Sequence, residues 1–254
     1  MALDLPAELL LTVLLAAMRA GAWLAIAPPF SSRAIPRTVK GLLSVAIALP
    51  VVAGSQTSVP SLETASVVSA MVLQLLVGAA LGFLCLLVFT AVQAAGDLLD
   101  VFGGFSLAFA FDPLSQQGNA VFGRLFQLLA TTLLMASGAY LIVLHGFLRS
   151  YDAVPLDAGL DLTTLSRVLT SGLGQLMLAA LQIAAPLLAI LFLADVALGL
   201  LTRVAPALNA FALGFPFKIL LTLVLVGTTI AALPEVVSRL ADTAGSSLVR
   251  LVGG

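Results

Sequence analysis

The sequence predicts an all-α membrane protein, and three observations carry that prediction. Of its 254 residues, 61% are hydrophobic and only 9% charged, with a mean hydropathy of +1.18; a soluble domain carries about 25% charge and about 45–50% apolar residues. A chain this apolar cannot cover itself with polar surface, so its outer solvent is lipid or other apolar protein. Second, the apolar residues gather into long leucine- and alanine-rich runs, on the scale of the roughly 20-residue helix that crosses a bilayer core. Third, no run alternates with period two, as a strand of a membrane barrel would.

Six runs emerge, over residues 5–28, 41–53, 66–96, 121–148, 173–201 and 208–233. Asp4 and Glu8 stand at the start of the first run, acidic where a cleavable signal carries Lys or Arg, and the run is longer than a signal core. It therefore reads as a retained membrane segment. Arg19 interrupts it, at a cost of roughly 2.5–3.5 kcal/mol for an arginine near a membrane helix centre. Such a charge either faces a partner or cavity, or snorkels or sits in a structural pair.

The second run is short and ends near Gly54, while the third is long enough to overshoot lipid. Uneven lengths of this kind suit hairpins packed in a protein assembly better than six free-standing spans. The third run holds Gln74 and Gln93, which fit interhelical hydrogen bonding, and the Gly78/Gly82 pair, whose GxxxG spacing permits close helix contact but also arises by chance in alanine-rich runs. Cys85, the single cysteine, reads as packing within an apolar run. Asp97 and Asp100 close the run, three residues apart: a proton relay on one reading, a solvated helix end on the other.

Residues 102–113, FGGFSLAFAFDP, follow. Gly103 and Gly104 break the helix, and Phe105, Phe109 and Phe111 crowd a short segment. That composition suits either a hydrophobic plug in a pore or a tight re-entrant turn packed by phenylalanines. The fourth run begins around Arg124, and a link over residues 150–171 separates it from a last pair. The joint of that pair carries Asp195, Arg203, Pro206, Asn209, Pro216 and Lys218. Polar, proline-broken joints between membrane-length runs mark a loop in water or a protein-lined site.

Arg33, Arg37 and Lys40 in the link between the first two runs place it in the cytoplasm by the positive-inside tendency. Alternation then puts both termini outside and the 203–218 joint inside. The net charge of −1 with no basic block gives nucleic-acid binding nothing to rest on. His145 stands alone, so no metal site is expected. Neither a phosphate-binding GxxxxGK[ST] loop nor a GxSxG nucleophile turn is present. The expectation is a non-catalytic chain with no cofactor.

Four stretches taken in order resemble the FliR family of flagellar export-gate membrane proteins, whose injectisome relative is SctT. They are APPFSSRAIPRTVKGLL (27–43), AAGDLLDVFGGFSLAFAFDP (94–113), HGFLRSYDAVPL (145–156) and ALGLLTRVAPALNAFALGFPFK (197–218). The resemblance implies one membrane domain over residues 1–254, with a FliP-like helical part (1–150) and a FliQ-like last hairpin (172–236), in hairpins lying largely outside the bilayer plane. It implies FliP-like and FliQ-like partners in a gated channel for unfolded export substrates, an FlhB-like switch protein, and a place in the bacterial inner membrane within the flagellar basal body. By the same resemblance Gly103, Gly104, Phe105, Phe109 and Phe111 match a pore plug, although Phe109 and Phe111 are bulkier than the family pattern. Arg203, Pro206, Asn209 and Lys218 match a partner-facing hairpin tip, with Arg19 and Asp195 at subunit contacts. Two other readings stay open: the equivalent injectisome subunit, and an ion-coupled small-solute carrier using Arg19, Asp97, Asp100 and Asp195.

Overall fold

The computed structural model describes residues 7–54, 63–106, 120–156, 162–205 and 210–253. Among them lie seven α-helices: α1 (Ala7–Ile26), α2 (Arg37–Gly54), α3 (Thr64–Phe102), α4 (Val121–Ala136), α5 (Tyr140–Ala153), α6 (Leu162–Val204) and α7 (Ala210–Gly253). No strand occurs among the described residues. The all-α membrane architecture expected from composition is therefore present, with one helix more than the six runs suggested.

The extra helix arises because the fourth run breaks in two. Gly138 adopts φ +74°, a conformation that only glycine enters without steric cost, and it ends α4 in the way a helix usually ends. The Ser137 N–H still bonds the Leu133 carbonyl at 2.9 Å, and the Leu141 N–H bonds Gly138 at 3.0 Å, so the turn leaves few backbone groups unpaired. The only mark of this break in the sequence is the dipeptide Ser137-Gly138, inside an otherwise continuous apolar stretch.

The last two helices are longer than the runs that announced them. α6 has 43 residues and contains Pro186; α7 has 44 and contains Pro216 and Pro234. A proline removes one helix hydrogen bond. In apolar surroundings, however, a helix remains the cheapest way to pair every other backbone group. α7 continues past Pro234 with Leu233, Val237, Ala241 and Ala244 buried along one stripe. By length and composition α1, α3, Leu169–Val204 and Leu213–Ser247 can each cross a membrane, and α4 with α5 makes a fifth if taken as one broken span.

The chain divides into two compact units interleaved in sequence: Met1–Val88 with Gly138–Leu173 and Leu240–Gly254, and Phe89–Ser137 with Gly174–Arg239. In the first, Trp23 stacks on Phe147 with centroids 4.4 Å apart, and Phe147 meets Tyr151 edge-on. α3 lies so close to α1 that a Cβ on Gly78 would strike the Arg19 carbonyl and one on Gly82 would sit 2.9 Å from the Ile26 Cβ. The GxxxG spacing is thus a used contact. α2 seats Ser44, Ala48 and Val51 inward, with Ser44 against Gly21 of α1. In the second unit Leu99, Phe122, Phe126, Leu187 and Leu191 form the core, and Gly96 lets α3 touch the backbone of Phe122 on α4.

Candidate functional site

The end of α3 is built around two adjacent glycines. The Gly103 N–H bonds the Leu99 carbonyl at 2.8 Å, continuing the helix one residue further. A Cβ at Gly103 would lie 2.6 Å from both the Leu99 carbonyl and the Thr222 hydroxyl of α7; only glycine allows that approach. Gly104 has φ +87° and turns the chain against the ring of Phe215, also on α7. Phe105 then meets Phe122 of α4 edge-to-face, with centroids 4.9 Å apart. Three consecutive residues are therefore seated on α7 and α4 at the point where residues 107–119 begin. Phe109 and Phe111 lie outside the described residues. Neither Phe215 nor Thr222 stood out in the sequence, because a phenylalanine and a threonine in an apolar run carry no signal without the fold.

Asp100 accepts hydrogen bonds from the Phe122 N–H, at 3.1 and 3.0 Å to its two oxygens, and from the Gly123 N–H at 3.1 Å. It is buried and caps the N-terminus of α4, whose own N-cap residue, Ala120, has no side chain able to do so. A carboxylate here meets both the unpaired amides and the positive end of the helix dipole. Asp97 lies against the Cα of Gly123, and its Oδ1 is buried without a hydrogen-bond partner among the described residues. The sequence offered a relay or a solvated helix end for this pair; for Asp100 the structure gives a third role, a cap supplied from another helix.

Arg19 is fully buried. Its guanidinium donates to Gln74 Oε1 at 2.6 Å, to the Ser150 carbonyl at 3.0 Å and to the Val154 carbonyl at 2.8 Å. It also lies over the Tyr151 ring, 4.5 Å from its centroid. Tyr151 in turn donates to the Ala16 carbonyl at 2.8 Å, and Gln74 to the Leu156 carbonyl at 3.1 Å. The rigid fork suits this geometry, and two acceptors are carbonyls at the negative end of α5. α1, α3 and α5 are thereby pinned by one side chain, with no carboxylate among its described contacts.

Asp195 on α6 and Lys218 on α7 form an ion pair at 2.9 Å, their side chains 48% and 19% exposed. The resemblance placed Lys218 at a partner-facing hairpin tip and Asp195 at a subunit contact; within this chain the two are joined to each other. One turn along α7, the Thr222 hydroxyl that faces Gly103 donates to the Lys218 carbonyl at 2.8 Å. The ion pair and the seat of the α3 end thus occupy successive turns. Arg203 is exposed at the end of α6; Pro206 and Asn209 lie outside the described residues. His145 is exposed on α5 beside Leu141, Ile142, Leu144 and Leu148, which line an open apolar hollow. Among the described residues no three His, Cys, Asp or Glu side chains are grouped to hold a metal ion.

Residues 10–244 match the bacterial export proteins, family 1. The chain is 28% identical over 235 residues to the flagellar biosynthetic protein FliR of Escherichia coli (strain K12), covering 92% of this chain and 88% of the relative. Against FliR of Pectobacterium carotovorum subsp. carotovorum it is 28% identical over 219 residues, covering 86% and 84%. Against the surface presentation of antigens protein SpaR of Shigella flexneri it is 27% identical over 214 residues, covering 81% and 82%. With a match that runs over nearly all of the chain, from α1 into the last turns of α7, this protein belongs to the bacterial export proteins, family 1.

Proposed function

We propose that this protein is a core, non-catalytic subunit of the flagellar type III export gate in the bacterial inner membrane, within the basal body. With FliP-like and FliQ-like subunits it forms a gated channel for unfolded export substrates, and an FlhB-like switch protein contacts the α6–α7 joint near Arg203. The observation that carries this reading is the family match over residues 10–244, together with relatives named as flagellar biosynthetic proteins. Three helices also exceed bilayer thickness. At about 1.5 Å per residue, the 39, 43 and 44 residues of α3, α6 and α7 reach about 58, 64 and 66 Å, against a hydrocarbon core of about 30 Å. Apolar surface beyond the lipid calls for apolar protein neighbours.

The gate element in this reading is the segment that starts at Gly103. Its seating favours a plug that moves as a unit: Gly104 supplies the hinge conformation, and Gly103 and Phe105 fix where it pivots. In the resting complex the aromatic rings exclude water from the channel; an arriving substrate displaces them. Replacing Phe105, Phe109 and Phe111 with glycine is expected to raise the ion conductance of the closed complex in a planar bilayer, and unchanged conductance would sink the plug assignment.

A second reading, the equivalent subunit of a virulence injectisome, is favoured by the similarity to SpaR at nearly the same identity. Disrupting the gene separates the two: loss of flagellar filaments with intact effector secretion supports the first, the reverse supports the second. Native mass spectrometry of the membrane-extracted complex tests both against the solute-carrier reading, which expects a particle made of this chain alone.

A further inference from the structure

We propose that the start of α2, with the link before it, is a docking surface for anionic phospholipid headgroups. The inference rests only on the membrane placement of the chain and holds whichever export system it serves. Residues 9–62 contain Arg19, Arg33, Arg37 and Lys40 and no aspartate or glutamate, in a protein whose net charge is −1. Arg19 is buried and bonded within its own unit. Arg33 and Arg37 are exposed and Lys40 half-exposed, and neither ion pair among the described residues involves them. Three outward cations thus gather within eight positions, and α2 and the link before it contain no acid to answer them; the one acid of α1, Glu8, sits in its first turn, more than twenty residues earlier in sequence.

The apolar surface beside the patch selects lipid over other anions. α2 presents Ser44, Ala48 and Val51 to α1 and turns the opposite side outward, with Leu42 73% and Leu49 55% exposed and Val45 beside them. α2 is short, 18 residues with Arg37 and Lys40 in its first two turns. It therefore combines an outward apolar face with cations gathered at one end, the arrangement of a segment that sits at the headgroup boundary: leucines toward acyl chains, arginines toward phosphate. A free phosphate or a nucleic acid would use the cations and leave the leucines in water. Zwitterionic headgroups offer no net charge for the patch to meet.

The test is native mass spectrometry of the detergent-extracted complex, titrated with dioleoylphosphatidylglycerol and, separately, with dioleoylphosphatidylcholine. The intact protein should bind the phosphatidylglycerol more tightly. At about fivefold per cation near an anionic surface, R33Q/R37Q/K40Q should weaken that binding by up to roughly a hundredfold and leave phosphatidylcholine binding unchanged. R33K/R37K, which keeps the charge, should retain it. Equal binding of the two lipids, or unchanged phosphatidylglycerol binding by the triple variant, overturns the proposal. So does loss of a protein subunit from the triple variant with its lipid retained, which would make an acidic protein surface the partner. Should the triple variant fail to fold, the intact protein still decides: phosphatidylglycerol binding must weaken as ionic strength rises to about 1 M, where screening acts within about 3 Å. Salt-independent binding rejects the charge-driven surface.

Discussion

Arg19 illustrates how an apolar interior can keep a cation with no counter-ion in contact. Its charge is met by the oxygen of an amide, by two carbonyls at a helix end and by the face of an aromatic ring, each of them a partial negative charge that is already fixed in place. Removing the guanidinium would take its donor from the Gln74 oxygen and the Val154 carbonyl at once, while the Ser150 carbonyl keeps the Val154 N–H. Arg19→Met is therefore expected to lower stability by about 3 kcal/mol, in the range for breaking a buried charged network. Arg19→Lys should recover little of that, since a single ammonium cannot reach acceptors spread along a fork. Denaturant titration of the purified complex checks both, and a loss under about 0.5 kcal/mol would reject the pinning role. The sequence allowed a structural pair for Arg19 and an interhelical bond for Gln74, and both are realised in one contact. What it could not supply was the pairing partner, because Ser150 and Val154 contribute main-chain oxygens, which no residue identity announces.

At the level of elements, helices were legible by their interiors and much less so by their ends. α1 spans residues 7–26 where the run covered 5–28, and α3 spans 64–102 where the run covered 66–96. The larger errors have physical causes. α4 and α5 part at a glycine whose positive φ leaves no trace in hydropathy. α6 and α7 extend into polar stretches because continuing a helix costs less than exposing its backbone. The cap on α4 belongs to the same class: Asp100 lies 21 residues before Val121, too far in sequence for a capping box. Asp100→Ala should destabilise the protein by about 1–2 kcal/mol. It should also speed hydrogen exchange at the Phe122 and Gly123 amides, while exchange in the middle of α4 changes far less. Uniform acceleration along α4 would show that Asp100 supports packing in general and not the helix terminus.

For the molecule as a whole, the decisive quantity is length against membrane thickness. The Leu213–Ser247 stretch of α7 contains a window apolar enough to cross a membrane, yet only 17% of that window is buried within the chain. Its outer face includes Leu213, Phe217, Leu220, Leu223 and Val224. Lipid can cover about 20 residues of such a helix. If partner proteins cover the rest, labels on single cysteines introduced along α7 should be quenched by brominated lipid in one window of that size only. Quenching along the full length would place the helix in the bilayer plane and remove the need for neighbours. Composition disclosed the class of protein, and the resemblance disclosed its family. The interleaving of two units was beyond reach, since α3, α6 and α7 each pass from one unit into the other without a composition change.

The prolines of these long helices have a mechanical meaning. Each lacks an N–H, so the carbonyl four residues earlier loses its usual donor: Gln182 before Pro186, and Ile230 before Pro234. At those places a helix can bend without breaking a further bond, while between them it is stiff. α7 carries two such places, at Pro216 and Pro234. The stretch between them, residues 217–233, with Lys218 and Thr222 near its start, can therefore swing as one stiff arm. A displacement of that arm would be felt at Gly103, because the Thr222 side chain lies against it.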